Sequence, residues 1–221
     1  MEKPILYSYF RSSSAYRVRI ALHVKGIHFD YRAVHLLKDG GEQHKSDFKN
    51  LNPQGQVPCL VHHDHAIGQS VAIIEYLDEV QPHPPLFPSS PYEKAKVRQV
   101  CEMFNSGVQP LHNLAVTKYI EENYSPKKPM DKDAWTVHWM MEGYAAIEKV
   151  LSQTAGNCCF GDRVSAADAF LAPAIFSAAR FGCPLDSFPT MTKINAHLNE
   201  LDAFKKAHPF KQPDTPDELR K

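Results

Sequence analysis

Three adjacent serines, Ser12, Ser13 and Ser14, stand where an apolar run gives way to a helical pattern. Hydroxyls at a helix entrance cap its free N–H groups, and the positive end of the helix dipole attracts an anion. A thiolate held there would have its pKa lowered by hydroxyl and amide donors and would be a nucleophile at neutral pH. Plain capping of the helix is the competing role for the same residues. Further candidates are Gln43 in a polar loop, Val57-Pro58 at the start of a strand, and Gln69-Ser70 at a helix entrance. Gln109, His112 and Asn113 flank Pro110, Arg180 closes an apolar helix, and Arg11 directly precedes the serines. On residues alone, Ser70 reads as an N-cap, Gln43, Gln109 and Asn113 as solvated polar groups, and Arg180 as a cation on a helix C-terminus. The 12 histidines include His62, His63 and His65, but no cysteine or acidic partner has zinc-site spacing, so no metal is expected.

The elements that must position these residues fall into two patterns. Ile5–Phe10 reads as a strand, Ala15–Lys25 as a helix with Val18, Ala21, Leu22 and Val24 on one face, and Phe29–Leu36 as a second strand. Gly26 is placed to end the helix. Strand, helix, strand is a βαβ unit with parallel strands. Pro58–Val61 and His65–Ile67 flank a turn at His62–Asp64, a hairpin, and Ser70 opens a helix through Val80. This β-α-β, β-β-α order is that of a thioredoxin-like domain over residues 1–81. Five prolines between Gln81 and Pro91 mark residues 82–91 as a linker. Residues 92–221 read as all-helical: Tyr92–Tyr124 bent or interrupted at Pro110, Trp135–Leu151, Ala166–Arg180 and Met191–Ala207, with a mobile polar loop over Glu121–Asp133. Ser165 and Asp168 fit a capping box at the start of the third of these helices.

Bulk properties exclude several classes of function. The chain has 221 residues with 25 Lys+Arg against 25 Asp+Glu, a balance with no electrostatic footprint for nucleic acid or an anionic membrane. No apolar run approaches the roughly 18–20 residues that span a bilayer, and the N-terminus has no signal-peptide pattern. The five cysteines, Cys59, Cys101, Cys158, Cys159 and Cys183, form no C-x-x-C pair, and their odd number argues against a disulfide framework and for a reducing cytosol.

The run from Ser12 to Leu22, Ser-Ser-Ser-Ala-Tyr-Arg-Val-Arg-Ile-Ala-Leu, resembles the signature of zeta-class glutathione transferases. Leu51–Pro58, Gln69–Leu77 and the tail His208–Leu219, with Gln212-Pro213-Asp214-Thr215-Pro216 inside it, match the same class. The resemblance covers nearly the whole chain except Glu121–Ala134. It implies the glutathione transferase fold, α/β plus all-α: an N-terminal thioredoxin-like domain that binds glutathione and a helical domain that binds substrate. It implies Ser12, Ser13 and Ser14 as the catalytic set. It also implies a cis Val57–Pro58 bond with Val57 presenting its backbone to the cysteinyl part of glutathione. Gln69 and Ser70 would meet the γ-glutamyl carboxylate and Gln43 the glycyl end, with Gln109 and Asn113 as further glutathione contacts. Arg180 and, secondarily, Arg11 would grip substrate carboxylates. Many members of the class carry cysteine where this chain has Ser14, so a mixed disulfide with glutathione has no partner at the helix start.

The function implied is glutathione-dependent cis–trans isomerisation of maleylacetoacetate to fumarylacetoacetate in tyrosine and phenylalanine breakdown, by reversible thiol addition to the double bond, with glutathione as a cosubstrate that is not consumed. The same site serves two competing activities, maleylpyruvate isomerisation and transfer of glutathione to α-haloacids. A non-catalytic interaction module of the same fold is the reading from another class; joint retention of Ser12, Val57-Pro58, Ser70 and Arg180 speaks against it. A cytoplasmic homodimer is implied by the class alone.

Overall fold

The computed structural model describes residues 2–123 and 131–220. Among them the chain forms two compact units, residues 2–86 with 199–220 and residues 87–198.

The first unit is built on β1 (Ile5–Ser8), α1 (Ser13–Val24), β2 (Asp30–Ala33), α2 (Ser46–Leu51), β3 (Cys59–His62), β4 (His65–Gly68) and α3 (Ser70–Val80). Its four strands lie in the order β2-β1-β3-β4. β1 pairs parallel with β2 (Leu6 opposite Tyr31) and antiparallel with β3 (Leu6 opposite Leu60), as expected when a helix connects the first pair. β3 returns as β4 through His63 and Asp64, whose φ of 50° and 60° suit a two-residue hairpin turn. Leu6 and Leu60 from the sheet, Val18, Ile20, Ala21 and Leu22 from α1, and Ile73, Ile74 and Leu77 from α3 are almost fully buried. Each such Val, Leu or Ile side chain contributes about 1.5–3 kcal/mol relative to exposure. α1 ends as the sequence suggests: Gly26, at φ 64°, donates its N–H to His23 O and Ile27 donates to Leu22 O, a Schellman arrangement. The strands are shorter than the apolar runs, and α2 has no counterpart in the sequence reading because its six residues are largely polar.

The second unit holds α4 (Pro91–Asn105), α5 (Leu114–Asn123), α6 (Lys132–Thr154), α7 (Ala166–Arg180) and α8 (Pro189–Leu198). Val97, Val100 and Phe104 of α4, Met140, Tyr144 and Ile147 of α6 and most of α7 form its core. Gly143 lets α6 approach the chain before α5: a Cβ there would stand 2.1 Å from Val108. Pro110 interrupts the expected long helix rather than bending it. It sits in a 3₁₀ turn, Gln109–His112, that separates α4 from α5, because proline cannot donate to the helical ladder. The loop expected over residues 121–133 lies partly outside the described residues; residues 121–123 close α5, and Asp131 caps α6 through the Asp133 N–H.

The C-terminal tail departs from the expected placement in the helical domain and from the expected single helix over Met191–Ala207. The chain breaks after Leu198 and resumes as α9 (Asp202–Ala207), which packs on α1 in the first unit. The apolar residues decide this: Ile194 and Leu198 are buried in one unit, Phe204 and Ala207 in the other. The proline-rich segment is likewise tied to the first unit as far as Leu86. The buried Lys25 ammonium pairs with Asp78 and donates to the carbonyls of Gln81 and Pro84 (both 2.7 Å), and Leu86 N–H donates to Asp78. No helix among the described residues is long and apolar enough to cross a membrane.

Candidate functional site

β1 stops at Ser8, and Tyr9, Phe10 and Arg11 turn the chain into α1. Ser12 N–H donates to Tyr9 O (3.0 Å), closing this turn, and Ser12 Oγ accepts from Ala15 N–H (3.2 Å), the N-cap bond of α1. Capping occupies a lone pair and leaves the hydroxyl hydrogen available, so capping and donation to an anion are compatible in Ser12. Ser13 and Ser14 form the first helical positions, where N–H groups have no intrahelical acceptor, and no acidic residue lies in this first turn. All three serines are partly exposed.

Val57 lies just before β3, outside its ladder, and the Val57–Pro58 bond is cis. Its side chain belongs to a cluster with Tyr9, Phe10, Val34, Phe48 and Cys59, which joins this segment to the turn that carries Ser12. Gln43 is buried rather than solvated. Its Nε2 donates to Leu36 O, while Oε1 has no hydrogen-bond partner among the described residues. A Cβ on Gly55 would stand 3.0 Å from Gln43 O, which places Gln43 beside the Gly55–Val57 approach to β3. Ser70 is not the cap of α3 but its first residue, buried, with Oγ accepting from Arg17 Nη1 (3.1 Å). Gln69 takes the cap position with φ 68° and ψ 120°, a conformation costing a non-glycine residue on the order of 1–3 kcal/mol. Its side chain is held by Gln54 Oε1.

Two residues essential to this arrangement were not singled out from the sequence. Arg19 is fully buried and donates to Ser8 Oγ (3.1 Å), Tyr9 O (3.3 Å), Phe10 O (3.0 Å) and Ala207 O (3.0 Å). Burial lowers its pKa to about 10, opposed by Tyr31, Tyr16 and Asp214, and it stays cationic at neutral pH. Asp214, in the tail, accepts from Phe10 N–H (2.9 Å) and from Tyr31 OH (2.6 Å). Burial, with the bond to Asp214, pushes the Tyr31 phenol up. An arginine inside the otherwise apolar stretch Val18–Leu22 is the available signal.

The remaining candidates belong to the second unit, Arg11 excepted. Gln109 opens the 3₁₀ turn, the buried His112 packs its ring edge-to-face on Phe181, and Asn113 Oδ1 accepts from Ala115 N–H at the start of α5. Arg180 is exposed at the end of α7, its guanidinium 4.3 Å from the Phe181 ring centroid. Arg11 is partly exposed with its guanidinium 5.9 Å from the Phe10 ring.

Residues 2–79 match the family described as Glutathione S-transferase, N-terminal domain. The chain is 48% identical over 219 residues to the maleylacetoacetate isomerase of Rattus norvegicus, covering 99% of this chain and 98% of that protein. It belongs to the glutathione transferase family. Among solved structures it is similar to a maleylacetoacetate isomerase from Anaeromyxobacter dehalogenans with glutathione bound in the active site (TM-score 0.87, 38% identity, 97% of this chain and 98% of that one). A second is the holo structure of a maleyl pyruvate isomerase, a bacterial zeta-class glutathione S-transferase (TM-score 0.89, 36% identity, 96% and 100% covered).

Within this glutathione transferase burial makes four of the protein's own thiols poor nucleophiles. All five cysteines are buried. Burial pushes Cys59 up to about 11 and Cys158 up to about 12, and raises Cys159 and Cys183 as well. The rings of His62 and His63 stack with centroids 4.1 Å apart, His62 meeting Tyr76 OH and Glu2 O and His63 the Glu2 carboxylate, and no group of three metal-ligating side chains is brought together among the described residues. The capping box at α7 is present. Asp168 accepts from Ser165 N–H (2.7 Å), Ser165 Oγ (2.8 Å) and Cys159 N–H (2.8 Å), a structural role.

Proposed function

We propose that this transferase is a glutathione-dependent cis–trans isomerase of maleylacetoacetate, acting in tyrosine and phenylalanine breakdown. The observation that carries the reading is the start of α1: a capped Ser12 with its hydroxyl hydrogen available, at a helix N-terminus free of acidic residues. Glutathione, when bound, supplies a thiol that adds reversibly to an activated carbon–carbon double bond and so permits rotation about it. The chain's part is to keep that sulfur ionised and to hold both molecules. Ser12 donates its hydroxyl to the sulfur, and Ser13 and Ser14 add first-turn N–H groups and hydroxyls, a preorganised stabilisation of negative charge.

Other residues hold the peptide. Val57 offers a backbone N–H and C=O outside the β3 ladder, as an added strand would need. Ser70 uses its N–H at the start of α3 and a hydroxyl already oriented by Arg17, with Gln69 beside it, for the γ-glutamyl carboxylate. Gln43 Oε1, which has no hydrogen-bond partner among the described residues, suits a peptide N–H near the glycyl end. By the same resemblance Gln109 and Asn113 are assigned to glutathione, and Arg180, with Arg11 in support, to the substrate's carboxylates.

A cytoplasmic homodimer is part of this reading, supported by the family and by the odd number of cysteines, which suits a reducing compartment. Maleylpyruvate isomerisation is the second reading, favoured by the likeness to a maleyl pyruvate isomerase. Purified protein assayed on maleylacetoacetate and maleylpyruvate, with and without glutathione, tests both. Turnover of neither diacid in the presence of glutathione would refute the isomerase reading.

A further inference from the structure

We propose that Asp214 in the C-terminal tail is a positioning residue for thiol activation, holding with Arg19 the Tyr9–Phe10 peptide that sets the place of Ser12. The inference rests on the glutathione-dependent reading above. The C=O of Tyr9 and the N–H of Phe10 are the two ends of one peptide group. Arg19 Nη1 donates to the first (3.3 Å) and Asp214 Oδ2 accepts from the second (2.9 Å), so a cation and an anion clamp that peptide from opposite ends. Charge-assisted bonds of this kind are stronger than neutral ones. The clamped carbonyl is also the acceptor of the Ser12 N–H (3.0 Å), and Arg19 holds the next carbonyl, that of Phe10 (3.0 Å). The orientation of Ser12 therefore depends directly on this peptide.

The tail is constructed to deliver the carboxylate. Gln212 Nε2 donates to Lys206 O (2.9 Å) and His208 O (2.8 Å), Thr215 Oγ1 donates to Pro209 O (2.6 Å), and both side chains are buried. These bonds fix the chain on either side of Asp214. Tyr31 OH donates to the second carboxylate oxygen (2.6 Å) and sets its rotation. Leu219 packs on the cluster that contains Phe10 and Val57, so the tail also supports the segment assigned to the cysteinyl backbone. A misplacement of about 1 Å in a reacting group can lower the rate by as much as a hundredfold, which is the scale on which such a support matters.

The test is the pH titration of bound glutathione, followed by the ultraviolet absorbance of its thiolate, together with kcat and KM. Asp214→Ala should move the thiolate midpoint upward and lower kcat about ten- to a hundredfold, with a smaller change in KM for glutathione. Asp214→Asn keeps an acceptor for Phe10 N–H and should restore most of kcat. The sign of the shift is diagnostic. Removing a nearby negative charge would by itself favour the thiolate and lower the midpoint, whereas lost positioning raises it. If the alanine variant fails to fold, Tyr31→Phe, which deletes a single oxygen, must still raise the midpoint. An unmoved or lowered midpoint in these variants overturns the proposal even where melting temperature falls. Failure of the unaltered protein to bind glutathione would overturn the parent reading and this one with it; binding with an unmoved midpoint overturns this one alone.

Discussion

Replacing Ser12 separates two roles that one oxygen holds at once. Ser12→Ala removes both the cap bond to Ala15 N–H (3.2 Å) and the hydroxyl proposed to donate to the glutathione sulfur. Loss of an N-cap serine costs about 0.5–2 kcal/mol, and in a chain of this length each kcal/mol lowers Tm by about 2–4 °C. A hydrogen bond to a charged group contributes about 1.5–3 kcal/mol, so its loss in the transition state should lower kcat about ten- to over a hundredfold. Ser12→Gly divides these effects, because glycine at an N-cap costs only a few tenths of a kcal/mol relative to serine yet has no hydroxyl. Both variants should therefore lose kcat to a similar extent, while only the alanine variant loses several degrees of Tm. Isomerase kinetics at saturating glutathione, glutathione affinity by calorimetry and thermal melts on the same preparations make the comparison. If Ser12→Gly turns over within about twofold of the unaltered protein, or if kcat follows Tm across the two variants, the hydroxyl is a cap alone and the mechanism loses its donor.

Arg180→Ala should raise KM for the diacid and leave glutathione binding nearly intact; because the side chain is exposed and stacked on Phe181, unchanged kinetics with a slightly lower Tm would return it to a packing and helix-end role. Asp168→Asn replaces one accepting oxygen with an NH2 donor that faces the N–H of Ser165 or Cys159, which should cost roughly 1–3 kcal/mol of stability with kcat unchanged, and an unaltered Tm would refute that role. Burial, reinforced by Lys206, Arg19 and His28, lowers the pKa of His23 below its ordinary 6.5, so the folded state binds fewer protons than the unfolded chain as pH falls below 6.5. Its stabilising contribution is complete above pH 6.5 and is lost as pH drops through the lowered value. Tm of the unaltered protein should thus fall more steeply below pH 6.5 than that of His23→Gln, and parallel slopes would refute the assignment.

The local parts of this molecule were legible because they are governed by short-range rules. α3 and α7 run from Ser70 to Val80 and from Ala166 to Arg180, as apolar spacing and the polar residue at each entrance indicate, and the hairpin turn falls within His62–Asp64. Errors arose where tertiary burial decides between local options. A helix from Met191 to Ala207 satisfies periodicity, yet its two halves bury their apolar residues in different units, and the chain breaks after Leu198. Gln43 reads as a solvated loop residue because nothing near it in sequence reveals the burial of its side chain.

The site shows the same division with consequences for how its chemistry is distributed. Ser12 is recognisable from its neighbours because capping is a three-residue interaction, Ser12 Oγ to Ala15 N–H. What fixes its position is not: Asp214 meets Phe10 across 204 residues, and Arg19 meets Ala207 across 188. A charged residue on a helix is ordinarily a solvated one, so Arg19 reads as surface until the tail covers it. Once covered, a lone guanidinium would be costly to bury, and its stability depends on the acceptors it collects and on the carboxylate of Asp214 nearby. The last residues of the chain thus belong functionally with the first strand and helix. On that basis the tail should tolerate few changes at Asp214, whose role is set by distance to one peptide group, and more at exposed positions such as Glu218.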